Sequence, residues 1–166
     1  DLLNGDGTAC FITGPSGSGK TRFIREFLKH ADALNIKSIY YNSSHQKNKK
    51  KPYALISGVL EEYLIFFRSY DREKQSLIKE QMLQGIEKIA PLLLKIDPAF
   101  EELIGKPDIT VRPLEGDRDR QRFEMLMNRF IHNIADAENG IILIIEDIEH
   151  ADINGDGILD LLLANE

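Results

Sequence analysis

Eight consecutive residues near the start of the chain have the types and spacing of a phosphate-binding loop, G-x-x-x-x-G-K-[ST]. Glycines in such a loop let backbone N–H groups surround phosphate oxygens, and the start of the following helix adds positive potential. We expect Lys20 to reach the β- and γ-phosphates and the Thr21 hydroxyl to bind Mg²⁺. The pattern therefore predicts a nucleoside triphosphate site made of Gly14, Pro15, Ser16, Gly17, Ser18, Gly19, Lys20 and Thr21.

A second segment supplies the acidic groups that a triphosphate site requires. Residues 141–145 are all aliphatic, and Glu146 and Asp147 follow them directly. One acid would bind Mg²⁺ together with Thr21, and the other would orient or deprotonate the water aimed at the γ-phosphate. The Glu-Asp order leaves open which acid does which, because Glu reaches one methylene further than Asp. We predict Lys20, Glu146 and Asp147 as catalytic residues and Thr21, Glu146 and Asp147 as Mg²⁺ ligands.

The elements around these residues alternate between strands and helices, which favours an α/β fold with a parallel sheet. Predicted strands cover residues 8–13, 36–41 and 140–146, and a predicted helix leaves the loop at Thr21. Roughly ninety residues between the second and third strands are mainly helical, with apolar periodicity over 53–70, 75–94 and 117–136. In the middle helix, the predicted core face is Leu77, Ile78, Met82, Ile86 and Ile89.

Length and charge narrow the function classes. The 166 residues fit one domain, which we assign to 1–166 with a helical insertion at about 53–136. A net charge of −6 gives no general attraction to nucleic acid or to anionic membranes. The longest uninterrupted aliphatic run, Ile141 to Ile145, is too short to span a bilayer. The single cysteine, Cys10, lies in the first predicted strand, where we expect it to be buried, and reducing, cytoplasmic conditions fit this composition.

A competing motif lies near the end of the chain. Residues 152–160 have the D-x-N-x-D-G-x-x-D spacing of a calcium loop, although Leu163 stands where an EF-hand places its bidentate Glu. The alternative interpretation is a glycine-rich turn before a helix, with Asp156 as its cap. The candidate calcium ligands are Asp152, Asn154, Asp156, the Ile158 carbonyl and Asp160.

Together these segments resemble the STAND-type, AAA-plus-related ATPase domains of large signalling proteins. Such proteins include bacterial multidomain kinases, class III nucleotidyl cyclases and LuxR-type regulators. The last matching stretch usually reads Leu-Asp-Asp-Leu-x-Trp-Ala-Asp in that family. Here Glu146 replaces the first Asp and His150 replaces the Trp. The matching stretches are residues 11–21, 51–55, 103–107, 122–123 with 130–131, and 145–152.

The resemblance implies a three-layer αβα P-loop NTPase fold in which the nucleotide state of ATP–Mg²⁺ gates attached effector domains. It also implies that the chain is a segment of a longer protein, truncated at both ends, whose own hydrolysis is slow or absent. The expected partners are a nucleoside triphosphate, the other domains of the parent protein and, as a further candidate, a nucleotide-dependent oligomer. Two alternatives remain open, a non-hydrolysing nucleotide-dependent interaction module and a DNA-loading initiator ATPase; the acidic charge disfavours the second.

Overall fold

A computed structural model describes residues 10–45, 54–87, 90–106 and 117–150 of the chain. The candidate calcium loop at 152–160 lies outside these residues. The helices and strands, in chain order, are α1 (Lys20–Ala33), β1 (Lys37–Asn42), α2 (Ala54–Ser69), α3 (Arg72–Leu83), α4 (Ala90–Ile96), α5 (Glu101–Ile104), α6 (Asp117–Ala137) and β2 (Ile141–Glu146). Short 3₁₀ turns follow at Ser43–His45, Pro98–Phe100 and Ile148–His150.

The strands β1 and β2 are neighbours and run parallel, with Lys37 opposite Ile141 and Asn42 opposite Glu146. Their bounds agree with the predicted second and third strands to within a residue or two, and the parallel pairing is confirmed. Helices α2 to α6 connect the two strands along the chain. Because paired parallel strands end at the same edge of a sheet, Asn42 and Glu146 are brought side by side.

Alternate residues of the two strands contact different helices, as the two-residue period of a strand requires. Ile39 is 2% exposed and belongs to one apolar cluster with residues of α2 and α6. Ile141, Leu143 and Ile145 pack partly buried against that cluster. The intervening positions of both strands face the other way, where the Thr21 side chain of α1 contacts Glu146.

Helices α2 and α6 match two of the predicted helical segments, 53–70 and 117–136. The aromatic rings of Phe100 and Phe130 meet edge to face at 5.4 Å, which joins α6 to the turn before α5. The residues that form the centre of this helical layer are Leu55, Tyr63, Leu64, Met82, Leu93, Phe100, Leu103 and Met127.

The predicted single helix at 75–94 is wrong in its continuity. Helix α3 ends at Leu83, and Gly85 has φ 73° before α4 begins at Ala90. Ile78 and Met82 of the predicted core face are buried, and so is Ile86, but Leu77 is 55% exposed and Ile89 lies outside the described residues. A helix buries a stripe of limited width. Leu77, adjacent to Ile78 in the chain, is rotated out of that stripe.

The predicted strand before the phosphate-binding loop is also not observed in its described part. Residues 10–13 have no strand assignment, Phe11 is 62% exposed and Ile12 is 45% exposed. Cys10 is exposed as well, so the prediction of a buried thiol is wrong. A strand requires a partner for its backbone groups, and among the described residues β1 and β2 pair with each other. The described helices include none that is long and apolar enough to cross a membrane.

Candidate nucleotide site

The predicted phosphate-binding loop runs directly into the first turn of α1. Gly17 and Gly19 have φ values of 80° and 92°, in the left-handed region that glycine adopts without steric cost. Gly19 is the N-cap of α1, and no side chain caps the helix there within the part of the chain described. The first amides of a helix have no partner within the helix. This end of α1 therefore has the backbone donors and dipole that bind an anion.

The Lys20 side chain folds back over the loop that precedes it. Its ammonium donates to the carbonyl oxygens of Gly14 at 2.7 Å and Pro15 at 3.1 Å. The Ser18 amide donates to the Pro15 carbonyl at 3.2 Å, which closes the turn. A single ammonium, with three donors, thus lies against the loop, where phosphate oxygens would compete with the two carbonyls for its hydrogen bonds.

The Glu146 carboxylate joins the loop to the sheet. The Thr21 hydroxyl donates to its Oε1 atom, a contact between residues 125 positions apart in the chain. The Tyr40 hydroxyl donates to its Oε2 atom from the neighbouring strand. The Asn42 side-chain amide lies 3.5 Å from the same Oε2. Both oxygens of this carboxylate are therefore held, one by α1 and the other by β1.

Asp147 is directed elsewhere although it is adjacent to Glu146. Its φ of 55° turns the chain immediately after β2. Its Oδ2 atom accepts a hydrogen bond from the Asn42 amide at 3.2 Å. Asn42 in turn accepts from the Ser44 amide at 2.8 Å, which orients its side chain. The two acids thus share Asn42, whereas the Thr21 and Tyr40 hydroxyls bind Glu146.

Hydrogen bonds set the ionisation of this cluster. The Thr21 hydroxyl, and then the Tyr40 hydroxyl, stabilise the charged form of Glu146 and hold its pKa below the ordinary value of a glutamate. Partial burial, followed by the hydrogen bond to Glu146, raises the pKa of Tyr40. The site therefore presents an ionised carboxylate next to a protonated phenol and a threonine hydroxyl.

The donor set fits Mg²⁺ bound together with a triphosphate. Mg²⁺ prefers oxygen ligands and takes few from the protein, because phosphate oxygens and water supply the rest. Thr21 and Glu146 place a hydroxyl and a carboxylate oxygen in contact beside the loop. Within residues 10–45, 54–87, 90–106 and 117–150, no three His, Cys, Asp or Glu side chains are grouped to hold a metal ion alone. The hydroxyl of Thr21 and the carboxylate of Glu146 are two oxygen ligands for a metal whose remaining ligands would be phosphate and water.

The structure brings together the loop, Thr21 and Glu146, and it adds two residues that the sequence pattern did not indicate. Tyr40 and Asn42 belong to β1, and both contact the acid at the end of β2. The available signal was position alone. Tyr40 lies near the end of the predicted second strand, and Asn42 follows that strand directly. Polar side chains at the ends of neighbouring parallel strands meet at the same edge of a sheet.

Comparison with known proteins relates the sequence of this chain to a protein family. The family model described as AAA ATPase domain matches residues 1–166. The hybrid signal transduction histidine kinase G of Dictyostelium discoideum is similar, with 22% identity over 152 residues. That match covers 92% of this chain and 4% of the kinase, so the chain spans a small fraction of the relative's length. No solved structure matches the chain significantly.

Proposed function

Because the chain belongs to the AAA ATPase domain family, we propose that it is an ATP–Mg²⁺-binding regulatory module of a larger signalling protein. In this proposal, the nucleotide state sets the arrangement of attached domains. The name of the similar Dictyostelium protein, a signal transduction histidine kinase, supports a signalling context. A three-layer αβα arrangement and a cytoplasmic location are part of the same proposal.

The observation that carries the proposal is the contact between Thr21 and Glu146. It joins the residue that closes the phosphate-binding loop to the acid that ends a neighbouring strand. Two motifs far apart in the chain therefore meet where ATP–Mg²⁺ needs both of them. A glycine-rich turn unrelated to nucleotide binding would not be expected to lie against an ionised carboxylate.

Each residue has a distinct role in this proposal. The loop amides and Lys20 bind the β- and γ-phosphates, Thr21 and Glu146 face the Mg²⁺, and Asp147 orients the attacking water. When bound, Mg²⁺ neutralises charge that develops on the phosphates. The protein contributes position and electrostatic complementarity, which supply nearly all of the catalysis of phosphoryl transfer.

The test is triphosphate binding by a Lys20→Ala variant. Losing a charge-assisted contact to phosphate should weaken ATP binding by about 100-fold. Lys29→Ala is the matched control, because Lys29 is an exposed lysine of the same helix that pairs with Glu26. Binding is measured by titration with ATP carrying a fluorophore on its ribose. Unchanged ATP affinity in Lys20→Ala would refute the site assignment.

One observation favours a second candidate function, a module that binds ATP without hydrolysing it. The Asp147 carboxylate already accepts a hydrogen bond from the Asn42 amide, so part of the acid assigned to the water is occupied. A phosphate-release assay on the parent protein separates the two functions. Turnover that is lost in Asp147→Asn supports hydrolysis; wild-type protein that binds ATP and releases no phosphate supports the interaction module.

A further inference from the structure

Two acids lie at the end of β2, where Glu146 is the last residue of the strand and Asp147 follows it. Their hydrogen-bond partners indicate which of the two binds the metal. Glu146 contacts the threonine that follows the phosphate-binding loop, whereas Asp147 contacts only the amide of Asn42 among the hydrogen bonds described for it. The left-handed backbone at Asp147 turns the chain away from the strand direction. The geometry therefore separates the two carboxylates by role as well as by position.

Glutamate has one more side-chain torsion than aspartate, so its carboxylate needs an additional constraint to stay in one place. The Tyr40 hydroxyl supplies that constraint by binding Oε2, which leaves Oε1 directed at Thr21. Tyr40 lies two residues before the end of β1, and its side chain is 36% exposed. Its backbone is fixed by the pairing of β1 with β2, which sets where the side chain starts.

We propose that Tyr40 is a positioning residue that commits Glu146, and not Asp147, to the Mg²⁺ of the bound nucleotide. Tyr40 does not touch the metal or the phosphates; it acts by fixing the orientation of the Glu146 carboxylate. Groups that orient a metal ligand in this way commonly change metal affinity by about 10- to 100-fold when they are removed. The inference rests on the proposed function, because it presupposes a nucleotide site at this loop.

A consequence is that Tyr40 matters for nucleotide binding only when Mg²⁺ is present. In the proposed function the loop amides and Lys20 hold the phosphates, whereas the Tyr40 hydroxyl binds Glu146 and also interacts with the Asn42 side chain. The measured quantity is therefore the Mg²⁺ enhancement, the ratio of the ATP dissociation constant in EDTA to that in Mg²⁺. A merely structural role for Tyr40 would weaken both constants together.

The experiment compares variants by titration with ribose-labelled ATP in EDTA and in Mg²⁺. We expect Tyr40→Phe to reduce the Mg²⁺ enhancement about 10-fold while leaving the affinity in EDTA unchanged. Tyr41→Phe is the matched control, since the next residue of the strand packs against the helical layer on the other face. Thermal melting of each variant confirms that it is folded.

A second pair of variants tests the link to Glu146 itself. Glu146→Asp shortens the side chain and withdraws the carboxylate from the Tyr40 hydroxyl. The double variant Tyr40→Phe with Glu146→Asp should then lose no more Mg²⁺ enhancement than Glu146→Asp alone, because contacting residues are not additive. Asp147→Asn should lose less of the Mg²⁺ enhancement than Glu146→Asp does.

The outcomes distinguish this inference from the proposed function. Wild-type protein that binds ATP, together with a Tyr40→Phe variant of unchanged Mg²⁺ enhancement, overturns the role of Tyr40 and leaves the nucleotide site intact. Multiplied losses in the double variant overturn it as well, as does a larger loss of enhancement in Asp147→Asn than in Glu146→Asp. Wild-type protein that binds no ATP overturns the proposed function and this inference with it.

Discussion

Replacing Glu138 by Ala should be among the most destabilising substitutions in the chain. Glu138 follows α6 directly, and its side chain is only 1% exposed. Its Oε1 accepts from the Tyr63 hydroxyl at 3.0 Å, and its Oε2 accepts from the Tyr70 hydroxyl at 3.0 Å and from the Lys74 ammonium at 3.3 Å. One buried carboxylate thereby joins α2 and α3 to the segment that leads into β2.

The magnitude follows from what the substitution leaves behind. Tyr63 is 2% exposed, so its hydroxyl would lose its only described acceptor in a place that water does not reach. Such an orphaned group costs about 1–3 kcal/mol. The Lys74 side chain is 41% exposed, so its ammonium can bind water once the ion pair is gone, and breaking this ion pair costs little stability. With the space left by the side chain added, Glu138→Ala should cost about 3 kcal/mol, within the range for a broken buried pair.

Urea unfolding followed by circular dichroism measures this cost directly. Glu138→Gln keeps the shape of the side chain and replaces one carboxylate oxygen by an NH2 group. It should cost about 1 kcal/mol, because only the charge and one hydrogen-bond acceptor are lost. Glu61→Ala removes an exposed glutamate of α2 and should stay within about 0.5 kcal/mol of the wild type. In a Tyr63→Phe background, Glu138→Ala should cost about 1–2 kcal/mol less than alone. Equal costs in the two backgrounds would refute the coupling, and a Glu138→Ala cost below about 0.5 kcal/mol would refute the whole estimate.

Three further predictions concern stability. Asp71 caps α3 by accepting from a backbone amide at 2.8 Å, so Asp71→Ala should cost about 1 kcal/mol in urea unfolding, and no change would contradict the cap. Met127→Ala, at a fully buried position of α6, should cost about 2–5 kcal/mol, whereas Met125→Ala, 73% exposed on the same helix, should be nearly neutral; similar costs would contradict the packing. Burial first, and then Glu138, raise the pKa of Tyr63, so the folded state keeps it protonated while the unfolded state ionises near pH 10. The stabilisation that protonated Tyr63 gives the folded state is therefore complete below about pH 10 and is lost progressively as the pH rises further. In urea unfolding, the free energy of unfolding of Tyr63→Phe should fall less steeply above about pH 10 than that of the wild type.

Local pattern was sufficient wherever the physical cause is local. The phosphate-binding loop is read from eight adjacent residues, because its backbone conformation depends on glycines at given positions. Helices α2 and α6 follow from apolar residues repeated at the period of a helix. Strand β2 follows from an uninterrupted run of aliphatic residues that ends in two acids. The bounds of these two helices and of β2 were confirmed to within a few residues.

Pattern failed where the cause lies in a partner far along the chain. Residues 10–13 are as apolar as a strand, yet a strand exists only where another one accepts its backbone hydrogen bonds. The break between α3 and α4 was missed because the apolar spacing continues through Gly85. The period of a helix also does not show which residues at the margin of the stripe, such as Leu77, become exposed.

The sequence by itself determined which groups are available for chemistry: a glycine-rich loop, one lysine, one threonine and two adjacent acids. Only the tertiary structure decided how they are divided. The parallel register of β1 and β2 places Tyr40 and Asn42 at the acids, across 106 and 104 positions of chain. Register depends on the packing of both strands against the helices between them, and no property of either strand alone contains it. Glu146 thus lies beside Tyr40 and Thr21, while the left-handed backbone at Asp147 turns the chain and leaves that carboxylate against Asn42.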